Sequence, residues 1–178
     1  ADLDFFRAWL RGKYAESQRL KKVGSENEDF EIIGTQFHTW VKNNTKRLNL
    51  VHPEDYYYFI RSDFDFYSSL YLHLNYCKKN STQEFNHIYI NEFFTIADSL
   101  SYPLYLSPVS KIDDDNTIAL KIQIVADFID KYTNTRVLQN KTISQSSIRN
   151  SIYEIVKQTR NVELSELQSI LSTELQKQ

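Results

Sequence analysis

The sequence predicts an all-α domain of seven to eight helices packed as an irregular bundle, and three observations lead there. Glycine and proline are scarce, three of each in 178 residues, which leaves few positions for hairpins, bulges or phosphate-cradling loops. Apolar residues recur at three- and four-residue spacing through most of the chain. Residues that start helices stand ahead of the periodic runs.

The elements follow in order. Asp2 onward places Phe6, Trp9, Leu10 and Tyr14 on one helical face, with Leu3 and Phe5 flanking it and Arg7, Arg11 and Lys13 elsewhere. Ser25 with Glu28 has the form of a capping box, ahead of Phe30, Ile33, Phe37, Trp40 and Val41. Pro53 suits a first helical position, and Ser62 or Asp63 reads as the cap of a second helix to about Cys77, with a break near Arg61. Thr82 caps a helix carrying Phe85, Ile88, Tyr89, Phe93 and Ile96, which ends before Tyr102-Pro103 because proline disfavours a helical residue just before it. Residues 101–110 then read as the longest loop, with a soft division of the single domain near 101–112.

After Asp113, Asp114 and Asp115 the pattern forks. Ile118, Leu120, Ile122 and Ile124 alternate like a strand, whereas Ile118, Ile122, Val125 and Ile129 keep helical spacing over a longer range. Length favours the helix, apolar nearly all round and therefore central and buried. Ile148, Ile152, Ile155 and Val156 mark the next helix, and Leu164, Leu167, Leu171 and Leu175 the last, with a break near Arg160-Asn161.

Twelve tyrosines, eleven phenylalanines and two tryptophans make the core aromatic. The formal charge of −2 provides no global field for nucleic acid or an anionic membrane, so any DNA contact has to be local. A single cysteine, Cys77, excludes an internal disulfide and reads as a buried thiol. No run is apolar enough to span a bilayer, and no signal peptide is evident, which points to the cytoplasm. The chain opens at Ala1 without a methionine, as a piece of a larger protein would.

The common signatures for nucleotide, zinc and nucleophile-elbow sites are missing. His38, His52, His73 and His87 include no pair at the spacing that puts two imidazoles on one helical face, so the reading carries no catalytic residue, no metal and no cofactor. His38, between Phe37 and Trp40, is the one candidate for an acid-base group in a small enzyme, against a core or boundary histidine. Asp63 and Asp65, two apart on a helix, diverge, and Asp63 reads as a cap. The acidic run 113–115 reads as a helix start rather than a cation site. Arg19, Lys21, Lys22, Lys78, Lys79 and Arg136 are the candidates for contact with a DNA backbone; Tyr56, Tyr57 and Tyr58 spread over different faces. Arg136, after a long apolar helix, calls for a carboxylate or a partner's phosphate.

At DFFRAWLRGKYA, FEIIGTQFHTWV and IQIVADFIDKYTNTRVLQNKTISQSSIRNSIYEIVKQTRN, order and spacing resemble the helical region of GmrSD-type restriction proteins, bacterial and archaeal defence proteins. The pattern touches Phe6, Trp9, Phe37, His38, Trp40, Arg136, Tyr153 and Arg160, none of a catalytic type. The resemblance implies a position between an N-terminal ParB-like domain that binds and hydrolyses nucleotide and a C-terminal HNH-type nuclease domain. The family's Asp-Gly-Gln-Gln-Arg motif and any His-Asn-His arrangement are missing from this sequence, and Thr135-Arg136 stands where the family often has paired arginines. The expectation is a non-catalytic coupling domain whose partners are neighbouring domains, DNA or a second copy.

Overall fold

The computed structural model describes residues 2–16, 28–81, 88 and 95–178, and every regular element among them is helical. The fold is an irregular all-α bundle. Helix α1 (Asp2–Lys13) is followed by α2 (Glu28–Asn43), which kinks at Gln36. The Ser25 cap, and the helix read from Thr82 through Phe85, Tyr89 and Phe93, lie outside the described residues. Ile88 is helical and buried.

The break expected near Arg61 does not occur. Helix α3 (Pro53–Tyr58) runs through a π-helical stretch, Phe59–Phe64, into α4 (Asp65–Lys79), with helical backbone at both joins. Neither Ser62 nor Asp63 caps a helix; Asp63 pairs with Lys111, whose Nζ also donates to Ser62 Oγ at 2.8 Å. The wider π turn brings residues five apart onto one side. Phe59 and Phe64 therefore both reach Trp9 of α1, with ring centroids at 4.9 and 6.5 Å. Tyr67 stacks on the same indole at 5.8 Å.

The largest departure from expectation is residues 101–110. Asp98–Leu106 forms α5, and Ser101 through Val109 are all buried. This short helix is the centre of the bundle, packed against α1, α4, α6 (Asp115–Leu138) and α7 (Gln145–Gln158). Pro103 lies within it, and an interior proline costs about 3 kcal/mol. Leu100, Leu104 and Leu106 are fully buried, at about 1.5–3 kcal/mol each, so burial outweighs the proline. Close approach to α1 is possible because Gly12 has no side chain: a Cβ there would lie 3.0 Å from the Pro103 carbonyl oxygen.

The fork after Asp115 resolves as a helix, capped by Asp114, whose carboxylate accepts from Thr117 N at 2.7 Å. Helix α6 is not the centre, however. It buries Ile122, Val125, Ala126, Phe128, Ile129 and Tyr132 against α5 and α8 (Leu164–Gln176), while Leu120, Val137 and Leu138 are exposed. Ser144 caps α7. The predicted break near Arg160 is present, and Asn161 there has φ 52°. Asn49 and Asn140 take the same left-handed conformation (φ 54° and 55°), the work glycine does in chains richer in it.

Candidate functional site

The residues singled out from the sequence do not form one site. Arg19, Lys21 and Lys22 lie outside the described residues. Lys78, at the end of α4, pairs with Asp98 and sits 5.9 Å from the Tyr102 ring centre, whereas neighbouring Lys79 is exposed. Arg136 neither pairs with a carboxylate nor reaches outward. Its Nε and one Nη donate to the Thr142 carbonyl at 3.2 and 2.8 Å, the other Nη donates to Gln178 at 3.2 Å, and the guanidinium covers Tyr132 at 5.7 Å. Lys78 and Arg136 share no partner.

His38 is exposed, its ring against Phe37 at 3.7 Å, so it is neither a buried acid-base group nor a core histidine and sits at the boundary. His52 and His73 are also exposed, and His87 lies outside the described residues. Among the described residues no group of three or more His, Cys, Asp or Glu side chains is placed to hold a metal ion.

Two polar clusters do form. The first gathers where α1, α5 and α7 end. Carbonyls in a last helical turn have no partner within the helix and, once buried, need donors from elsewhere. The Ser107 carbonyl accepts from Lys13 Nζ at 2.9 Å and from Asn161 N at 2.9 Å. The Pro108 carbonyl accepts from Lys121 Nζ at 3.0 Å. The Val109 carbonyl accepts from Lys13 Nζ and from Tyr67 Oη, the latter at 3.1 Å. Three successive carbonyls are thus met by cations from α1 and α6. Lys121 is 1 % exposed, and its charge is matched by Asp113 at 2.7 Å, so this one of the three aspartates is not a solvated helix start.

Arg160 closes the cluster from the α7–α8 turn. Its Nε donates to the Gly12 carbonyl at 2.8 Å, and its Nη atoms to the carbonyls of Arg11 (3.2 Å) and Ala15 and to Glu16 at 2.6 Å. A guanidinium at a helix C-terminus is also favoured by the macrodipole. Burial pushes Arg160 below its ordinary range, opposed by Glu16. Lys13 is lowered to about 7, chiefly by burial and then by the charges of Lys121 and Arg160. Burial also raises the Tyr67 phenol, and Tyr14 to about 12.

The second cluster centres on Asp29, fully buried at the start of α2. Its carboxylate accepts from Trp40 Nε1 at 2.8 Å, Arg47 at 2.8 Å and Glu16 N at 2.9 Å. Arg47 also donates to the Tyr14 carbonyl, so both clusters hold the C-terminal end of α1. Their cations are engaged by carbonyls and carboxylates, and neither contains a nucleophile beside a base. Beside them opens a cleft of about 470 Å³ between α1, α2, α4, α5 and the start of α7. Arg7, Arg11, Tyr71, Tyr102 and Gln145 line it, with Asp4 and Asp98.

Comparison with protein-family models, curated proteins and solved structures gives no significant match.

Of the residues that carry the resemblance to GmrSD-type proteins, several lie where α1 and α2 meet their neighbours, while Arg136 lies apart at the end of α6. Phe6 stacks on Phe37 at 5.8 Å, Trp9 and Trp40 are buried, and Tyr153 of α7 stacks on Phe30 at 3.9 Å. Lys13, Lys121, Asp29, Arg47, Arg7 and Arg11 were not singled out from the sequence. Lys121 had a visible signal, a lone cation in the run IALKIQIVADFI; the others look like ordinary surface charges until the helices are placed.

Proposed function

We propose that this chain is a non-catalytic helical scaffold of a GmrSD-type DNA restriction protein, acting in the cytosol and linking a nucleotide-binding ParB-like domain to an HNH-type nuclease domain. The observation that supports this reading best is the work done by Arg160. A family-pattern arginine, a residue type suited to phosphate, here holds the end of α1 to the α7–α8 turn through three carbonyls and Glu16. Five further residues of the resemblance, Phe6, Trp9, Phe37, Trp40 and Tyr153, pack around α1 and α2, whereas His38 is exposed and Arg136 engages Thr142 and Gln178.

A scaffold of this kind couples its neighbours mechanically. With α1 and the α7–α8 turn tied through Arg160 and Lys13, a displacement imposed at one is shared by the other, because a packed, hydrogen-bonded junction shifts as a unit. The test is to measure nucleotide hydrolysis and DNA nicking for this chain alone and for the full-length protein. The expected result is activity in the full-length protein only. Robust turnover by the chain alone removes the scaffold reading.

A further inference from the structure

We propose that the outer face of α6 is a docking surface for a second copy of this chain, the two α6 helices lying antiparallel across a two-fold axis level with Ile129. Leu120, Ile124, Asp127, Lys131, Asn134 and Leu138 succeed one another at spacings of four, three, four, three and four. At about 3.6 residues per turn that alternation keeps all six on one stripe, about 27 Å long, and it is the spacing with which paired helices set side chains into one another's gaps. The stripe points away from the core. Ile122, Val125, Ala126 and Ile129, on the opposite side, are fully buried, whereas Leu120 and Leu138 are 39 % and 84 % exposed and Lys131 is exposed. Beside the stripe, α6 and α8 leave an open groove of about 320 Å³ with Phe128 and Leu171 among its lining.

The order of residue types along the stripe identifies the occupant. An antiparallel two-fold pair sets Leu120 of one copy on Leu138 of the other and Asp127 on Lys131, each contact made twice by symmetry. A parallel pair sets Asp127 on Asp127 and Lys131 on Lys131, and opposed like charges are costly. The charges therefore select the antiparallel arrangement. Ile124 falls against Asn134, whose amide already donates to Asp130 at 3.0 Å. Asp127 also interacts within its own chain, and a carboxylate, with about four acceptor positions, takes a further donor. Half of the stripe is polar, and a contact one helix wide covers less than the roughly 1,600 Å² of a standard interface, so the pair is weak and exchanges readily. The inference rests on α6 and not on the scaffold reading.

The experiment is sedimentation equilibrium of this chain from about 10 μM to about 1 mM at low salt, where surface charges are least screened. A reversible monomer–dimer equilibrium is expected. Asp127→Lys and Lys131→Asp each oppose like charges across the axis, and either alone should weaken self-association about tenfold or more. An equimolar mixture of the two variants restores both opposite pairs between chains while each helix keeps its own alteration, and it should associate within about threefold of the unaltered chain. Leu138→Lys, at the exposed end of α6, should also weaken association, with no cost to the helix because a cation suits its C-terminus. A chain that stays monomeric at about 1 mM, charge variants that associate as the unaltered chain does, or a mixture that associates no better than its components overturns the proposal.

Discussion

Replacing Arg160 by alanine removes the guanidinium that ties the end of α1 to the α7–α8 turn. It donates to the Gly12 carbonyl at 2.8 Å, to Glu16 at 2.6 Å, to the Arg11 carbonyl at 3.2 Å and to the Ala15 carbonyl. Glu16 is 54 % exposed, so its ion pair is screened and adds little, about 0–1 kcal/mol. The carbonyls are the larger part. A hydrogen bond from a charged donor contributes about 1.5–3 kcal/mol, and an unmet buried carbonyl costs about 1–3 kcal/mol. Water can reach some of these groups once the side chain is gone, so the expected loss is about 3 kcal/mol. In a chain of this length that lowers the midpoint of thermal unfolding by about 6–12 °C. Urea unfolding followed by circular dichroism is the assay, with an unchanged slope against denaturant expected. Arg160→Lys, which keeps the charge but not the fork, should recover less than half of the loss. A cost below about 0.5 kcal/mol for Arg160→Ala, the range of ordinary surface substitutions, refutes the clamp.

Lys13 gives a pH dependence. Its folded-state value of about 7 lies below the ordinary 10.5, so above pH 7 the folded chain releases a proton that the unfolded chain keeps until about 10.5. The unfolded state then binds more protons, and stability should rise between pH 7 and 9; Lys13→Met should flatten that slope, and a flat profile for the unaltered chain removes the argument. Lys121→Met strands the buried Asp113 carboxylate and should cost about 3–5 kcal/mol in urea unfolding. Adding Asp113→Asn should recover most of it, since Asn keeps an oxygen for the Ser110 N–H; simple additivity of the two single costs would deny the coupling. Gly34→Ala places a Cβ 2.2 Å from Arg11 Nη2 and should cost about 1–3 kcal/mol by moving that side chain off the Phe30 carbonyl, with an unchanged denaturation midpoint as the contrary result.

Where an element has one wet face, its period was readable from the sequence: α1, α6, α7 and α8 lie close to where their apolar residues predicted them. Helix α5 was not readable because it has no wet face. Seven successive residues from Leu100 to Leu106 are buried, so no amphipathic period exists to detect, and Pro103 reads as a stop signal. The false break near Arg61 has a similar origin. Ser62 and Asp63 are good capping residues, yet they face Lys111 from 49 residues away, a partner that no local pattern reveals. The polar clusters depend on the same kind of distant pairing. Asp29 looks like a first-turn acid favoured by the dipole, but Trp40 and Arg47 close over it once α2 meets the turn that follows.

The arginines differ in what they already touch. Arg11, Arg47, Arg136 and Arg160 each donate to a backbone carbonyl contributed by another part of the chain. Such a carbonyl has a fixed position and a full desolvation cost if abandoned, so these four side chains resist recruitment by a ligand. Arg7 and Arg149 instead face carboxylates, Asp4 at 3.6 Å and Glu31 at 2.8 Å, and each keeps a buried Nε without an acceptor. Alanine at the first four positions should therefore cost more stability than alanine at Arg7 or Arg149. In a bundle with three glycines, the end of α1 meets its neighbours where long cationic side chains reach across to satisfy its carbonyls, as Arg47 does at Tyr14 and Arg160 at Gly12.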